Sequence, residues 1–382
     1  MKILSIEPTP SPNSMKLNLD TSLEAGKALN FNKKNQKEAP AYIQDIMEIE
    51  GVTGVYQVND FIALERHPKA DWKEILAQVR DTVEKHSDSV ESHTDQEAAE
   101  MEQALESFGE VQVFIQMFKG IPMQIKLLKD GEEHRVGLPD FMTGAAMKAQ
   151  PAADNLVTER QWVDQGIRYG EIDEVGAQLV EELSAAYDEE RLDRLVARAF
   201  QQDAKAEEEY SAEHVLKALE DEDWKVRYGA LERMQLTLEE IPVLKKALTD
   251  SKMSIRRLAT AYLGEVGGEH GSEHVLDLLV QALQDDSPVI RRTAGDAISD
   301  VGDPGAMGAM TVALKDKNKL VRWRAARYMY EVGTEEAIPA LEDVQDDPEF
   351  EVSLQAKIAL ERIKGGEKAE GTVWQQMTRR NE

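Results

Sequence analysis

Ala218-Leu219-Glu220-Asp221, followed by Val226-Arg227, is a phrase this chain repeats. It returns as Ala247-Leu248-Thr249-Asp250 with Ile255-Arg256, as Ala282-Leu283-Gln284-Asp285 with Ile290-Arg291, and as Ala313-Leu314-Lys315-Asp316 with Val321-Arg322. A degenerate fifth copy runs from Asp347 to Val352, with Ser353 in the arginine slot. Successive Asp residues are 29, 35, 31 and 31 positions apart. A period near 30 with helical patterning predicts an α-solenoid of about five repeats over residues 213–364. Solenoids present extended surfaces to partners, so the default class is binding, not catalysis.

Each repeat fits two antiparallel helices. In the third, Val275, Leu278, Leu279, Ala282 and Leu283 mark helix A, and Ile290, Ala294, Ala297 and Ile298 mark helix B. Gly302-Asp303-Pro304 stops helix B. The row Asp221, Asp250, Asp285 and Asp316 is expected to cap helix B. The row Arg227, Arg256, Arg291 and Arg322 is expected to satisfy a neighbouring turn, making both rows structural rungs. A second row, Lys225, Arg257, Arg292, Arg324 and Arg327 with Trp224 and Trp323, is expected on one exposed face. Such a face suits an acidic peptide or an anionic ligand, because guanidinium groups pair well with carboxylates.

The chain has 382 residues, 31% of them charged and 41% hydrophobic, enough for two or three cored domains. No apolar run approaches the ~20 residues that span a bilayer. The acid and prolines that follow Met1-Lys2-Ile3 do not fit a signal peptide, and the reading is of a cytoplasmic protein. There is no cysteine, which removes disulfides, thiolate ligands and cysteine nucleophiles. The net charge is −28, concentrated over residues 87–212, where 28 acidic residues face 11 basic ones. Nucleic-acid affinity rests on phosphate neutralisation by Lys and Arg, so that partner is not expected.

Residues 1–86 read as an α+β domain. Met15, Leu17 and Leu19 alternate as a half-buried strand, residues 22–38 read as a loop, and Pro40 opens a helix. Val52–Val58 and Phe61–Glu65 read as a hairpin, and Asp71 caps a further helix. Residues 87–108 read as an acidic linker. Residues 109–212 form a middle α+β domain: three strands from Glu110 onward, then helices, the first expected from Glu159 to Tyr169-Gly170. Residues 365–382 are a Gly- and charge-rich tail. The fold class is thus multidomain, with α+β N-terminal and middle domains before an all-α solenoid.

Glu7-Pro8-Thr9-Pro10-Ser11-Pro12-Asn13-Ser14-Met15-Lys16, with the later Ile49-Glu50-Gly51-Val52, Asn59-Asp60-Phe61-Ile62 and Asp71-Trp72, resembles the N-terminal domain of Nfu scaffolds. Those scaffolds hold their cluster on a Cys-x-x-Cys in a separate domain, and this chain has no cysteine. The resemblance therefore implies an accessory or partner-binding head, with Asn13 and Ser14 as candidate contacts. The repeats resemble short HEAT-like repeats, also found in bilin lyases. Head, acidic middle and HEAT-like tail together resemble the conserved virulence factor C family, regarded as regulatory or accessory.

No phosphate loop, GxSxG, HExxH or dinucleotide turn is present, so no catalytic, cofactor or metal residues are assigned. The expected function is a non-enzymatic scaffold, adaptor or regulator that binds protein partners, including ones with acidic segments. The alternative is an accessory factor in iron–sulfur or other cofactor assembly, or a lyase-like enzyme.

Overall fold

The structure is a computed structural model and describes residues 3–8, 13–21, 23, 28–58, 61–67, 70, 72–85, 110–129, 132–153, 155–201 and 209–366. The predicted linker, the Asn59-Asp60 turn, the cap at Asp71 and most of the tail lie outside these residues. Two compact units result, and they do not follow chain order. One comprises Met1–Phe108 with Leu314–Glu382, and the other Gly109–Ala313.

The first unit contains β1 (Ile3–Pro8), β2 (Ser14–Leu19), β3 (Ala28–Asn32), α1 (Ala41–Glu48), β4 (Val52–Val58), β5 (Phe61–Arg66) and α2 (Trp72–Lys85). The strands form an antiparallel sheet in the order β1-β2-β5-β4-β3. Alternation sends Leu17, Ile62 and Leu64 inward against Ile43, Ile46, Met47, Trp72 and Val79, all fully buried. Each such aliphatic side chain contributes about 1.5–3 kcal/mol. β3 corrects the loop expected over residues 22–38. Leu29 and Phe31 pack on the core while Asn30 and Asn32 stay exposed, a pattern suited to an edge strand whose polar side masks it in sequence.

The second unit begins with β6 (Glu110–Phe118), β7 (Ile121–Lys129), β8 (Glu132–Val136), α3 (Asp140–Ala149), α4 (Leu156–Glu159), β9 (Gln161–Tyr169), α5 (Ile172–Ala186) and α6 (Glu189–Ala199). Its sheet is antiparallel, ordered β8-β7-β6-β9. Val111, Val113, Ile115, Ile125 and Leu127 share a core with Met142, Leu179, Leu192 and Leu195 of the helices.

β9 replaces the helix expected from Glu159 to Tyr169. Trp162, Val163, Ile167 and Tyr169 are strand-favouring types. Their alternation is broken by a bulge. Gln112 pairs with Ile167 but Phe114 with Asp164, so β9 carries one extra residue. Gly166 sits there at φ +75°, and its N–H donates to Asp164 Oδ1 over 2.8 Å. The bulge reverses the phase of the strand. Val163, opposite Ile115, and Arg168, opposite Val111, both lie on the helix side of the sheet.

The repeats follow. In the second unit they are α7 (Ala212–Ala218) with α8 (Trp224–Glu232), α9 (Ile241–Ala247) with α10 (Met253–His270), α11 (Leu276–Ala282) with α12 (Pro288–Val301), and α13 (Met307–Ala313). In the first unit they are α14 (Lys319–Val332), α15 (Ile338–Val344) and α16 (Phe350–Lys364). α5 of the middle domain packs directly on α8. Gly229 permits this: a Cβ there would lie 2.6 Å from the Ala185 carbonyl oxygen. No described helix is long and apolar enough to cross a membrane.

Candidate functional site

The turns between helices A and B are organised by the repeated Asp and Arg. Arg227 donates to both carboxylate oxygens of Asp250, over 2.7 and 2.9 Å, and to the Asp221 and Glu222 carbonyls over 2.8 and 3.0 Å. Arg256 treats Asp285 the same way, over 2.7 and 3.1 Å, and donates to Asp250 O over 2.8 Å. Arg322 does so with Asp347, over 2.7 and 3.0 Å, and with Asp316 O over 3.0 Å. Arg291 donates to the Asp285 and Asp286 carbonyls of its own turn. Each bidentate pair thus joins one repeat to the next. Burial works against the charge on Asp250, but Arg227 and the Lys252 amide outweigh it and hold the carboxyl below its usual range.

These Asp residues are not the caps of helix B. The capping side chains are Asp223, Ser287 and Asn318, two positions further on, and Lys252 takes that position in α10 without a side-chain cap. Each Asp instead accepts the N–H of that following position: Asp223 on Asp221, Lys252 on Asp250, Ser287 on Asp285, Asn318 on Asp316 and Glu349 on Asp347, all at 2.7–2.9 Å. This Asx-turn leaves the other carboxylate lone pairs for the arginine.

The second basic row is not the exposed face expected of it. Lys225 is exposed, and Trp224 is half-buried with the Lys252 ammonium 4.0 Å above its ring. In the first unit Trp323, Arg324 and Arg327 are only 2%, 4% and 5% exposed, and Arg327 pairs with Glu331 over 2.9 Å. In the second unit Arg257 and Arg292 turn toward the middle domain. Helix B's inner face, which repeat logic leaves open, is met there by β9 and α5.

That meeting builds a charged interior within the second unit. Glu182, on α5 among the buried Leu179, Leu183 and Ala186, is 3% exposed. Arg168 Nη2 lies 2.8 Å from its Oε2 and Arg257 Nη2 3.3 Å from the same oxygen. Burial alone would raise the Glu182 pKa; Arg257 and Arg168 more than reverse that, so it is lowered. Arg257 is pushed down from its ordinary value, first by burial and then by repulsion from Arg168. Beside the cluster is a pocket of about 50 Å³, lined by Arg168, Tyr169, Arg257, Arg292 and Asp296, with Ile167, Val175 and Val289 as apolar wall. The Arg292 guanidinium stacks 4.9 Å over the Tyr169 ring.

The remaining expected contacts, Asn13 and Ser14, lie in the first unit and do not line this pocket. Trp162 is on the other side of the sheet from Arg168, with Lys126 4.6 Å and Arg135 5.4 Å from its ring. Asn13 is buried, and its carbonyl accepts from the Arg66 amide; Ser14 pairs in register with Glu65. The sequence reading missed Arg66 and Glu351, which form a buried 2.7 Å ion pair between the N-terminal sheet and α16. Arg66 also lies over Trp72 and donates to the Ala70 carbonyl. Strict alternation after Ile62 and Leu64 points Arg66 inward, a signal available in sequence. Glu182 on the apolar stripe of α5 is the same kind of signal. Among the described residues no group of His, Asp and Glu has the arrangement of a metal site.

Three family models match. Residues 3–90 match the scaffold protein Nfu/NifU N-terminal model, residues 116–196 a model described as virulence factor, and residues 212–287 and 276–361 the HEAT repeats model. The chain is 51% identical over 381 residues to uncharacterized protein YpgR of Bacillus subtilis, covering 99% of this chain and 98% of that protein. It is 40% identical to conserved virulence factor C of Staphylococcus aureus strain MRSA252, over 100% of both chains. Among solved structures, protein SAV1430 from Staphylococcus aureus is 36% identical over 22% of this chain and 99% of its own, with a TM-score of 0.21.

Proposed function

The chain belongs to the conserved virulence factor C family, and we propose that it acts as a non-enzymatic scaffold binding protein partners through its HEAT repeats, with the Nfu-like head recruiting a second partner. The Arg–Asp ladder carries this reading. Arg227 with Asp250 and Arg256 with Asp285 fix neighbouring repeats in register, so their helix faces act as one surface and not as a hinged series. The head adds support from its chemistry. It matches an Nfu N-terminal domain, yet the chain has no cysteine to ligate a cluster, which leaves recognition as the inherited role.

Affinity purification of the full chain from its native cell, followed by reconstitution with each purified partner, tests the reading. A stoichiometric complex that binds tighter than about 10 μM, ~7 kcal/mol, is expected. Absence of any reconstituted complex, or multiple turnover of a small molecule by the purified chain, would overturn it.

A further inference from the structure

The pocket beside Arg257 carries more positive charge than its own carboxylates neutralise, and we propose that it seats one carboxylate, the side-chain terminus of a Glu or Asp on a protein partner. This rests on the scaffold reading above and names the chemistry that such a partner presents.

Charge comes first. Arg168, Arg257 and Arg292 line the pocket; Asp296 lines it too, and Glu182 is bound by Arg168 and Arg257. Three guanidinium groups against two carboxylates leave one positive charge in a largely buried space. A monoanion balances it. A phosphate dianion overshoots, beside two carboxylates that would repel it.

The arginines are unevenly served. Arg168 grips Glu182 with two nitrogens, at 2.8 and 3.5 Å. Arg257 reaches it with one, at 3.3 Å, and its buried Nε has no hydrogen-bond partner among the described residues. A buried guanidinium that shares its counter-ion with another cation is poorly compensated. A second carboxylate would relieve it, and would act against the depression of its pKa.

Size and wall agree. About 50 Å³ admits a carboxylate and little more, and falls well below the ~300 Å³ where small-molecule cofactor sites begin. Ile167, Val175 and Val289 provide apolar contact for a methylene stem.

Ligand-observed NMR on the full-length chain tests the proposal with four probes: N-acetyl-glutamate amide, N-acetyl-glutamine amide, acetate and inorganic phosphate. Only the glutamate probe is expected to bind well, with acetate weaker for lack of a stem. Arg257→Gln should weaken it about tenfold, the equivalent of ~1.4 kcal/mol. Because Arg257→Gln disturbs a buried pair, Gln178→Glu is the second variant: it keeps every guanidinium and adds a carboxylate to the pocket lining. It should abolish probe binding while the circular dichroism and melting profile stay those of a folded chain. Equal binding of the glutamine probe overturns the proposal, as does phosphate binding tighter than glutamate, or Gln178→Glu behaving as the parent. Acetate binding as tightly as glutamate would assign the pocket to a free small carboxylate and overturn the partner assignment. A reconstituted partner complex of unchanged affinity in both variants removes the pocket as an anchor and leaves the scaffold role standing.

Discussion

Arg66 and Glu351 are 285 positions apart in the chain, and their side chains meet at 2.7 Å in a buried ion pair. Phe350 and Leu354, on the same helix as Glu351, pack against the core of the N-terminal sheet. The head and the last repeat therefore share one interior. Truncating either partner leaves a buried charge, so Arg66→Met and Glu351→Gln should each cost about 3–5 kcal/mol in urea denaturation. The double variant Arg66→Met/Glu351→Leu should recover much of that loss. A double variant no better than the singles would refute this account.

Glu182 predicts a pH dependence. Its pKa is lowered in the fold, so its contribution is fully present above the unfolded value, about 4.3, and is lost as pH falls through the folded value. Acid titration of stability should show a loss below about pH 4 that flattens in Glu182→Gln. At neutral pH that variant should be less stable by ~3–5 kcal/mol, since Arg168 and Arg257 would face one another without an anion.

The ladder predicts coupling between repeats. Arg256→Lys keeps the charge and loses the fork that spans both oxygens of Asp285. A double-mutant cycle with Asp285→Asn should return an interaction energy of about 0.5–3 kcal/mol. A value near zero would show that the rung does not register the repeats.

Two glycines should respond differently to alanine. At Gly166 a Cβ meets nothing within 4 Å, so the cost of Gly166→Ala is that of the left-handed backbone, about 1–2 kcal/mol. At Gly229 the backbone is unstrained but the Cβ would press on the Ala185 carbonyl. Gly229→Ala should cost about 1–3 kcal/mol through a shift of α5 against α8, visible as faster hydrogen exchange in both helices. Equal exchange in parent and variant would argue against that packing.

The repeats were legible because each copy writes its turn in the same residues. The Asp and Arg rows follow from spacing, although the Asp proved to act two positions before the cap. The open face was misread for a physical reason. A repeat's own pattern records which residues point inward from its stack, but not that β9 and α5 of the preceding domain lie against Arg257 and Arg292. β9 itself was hidden because its phase changes midway: Val163 and Arg168 share a side although five positions separate them. A search for one period finds neither helix nor strand cleanly there. Arg66 and Glu182 were readable in principle, each a charge standing where the local pattern asks for an aliphatic side chain.

The extra residue in β9 also gives that strand a spare. Excising Gly166 would close Gln161–Tyr169 to plain alternation while leaving Val163 and Arg168 on the side they now occupy, so the grip on Glu182 would survive the loss. A one-residue deletion at that point is therefore expected to leave the strand paired, whereas β6, whose residues on both sides of the bulge are already committed to partners, has no such slack.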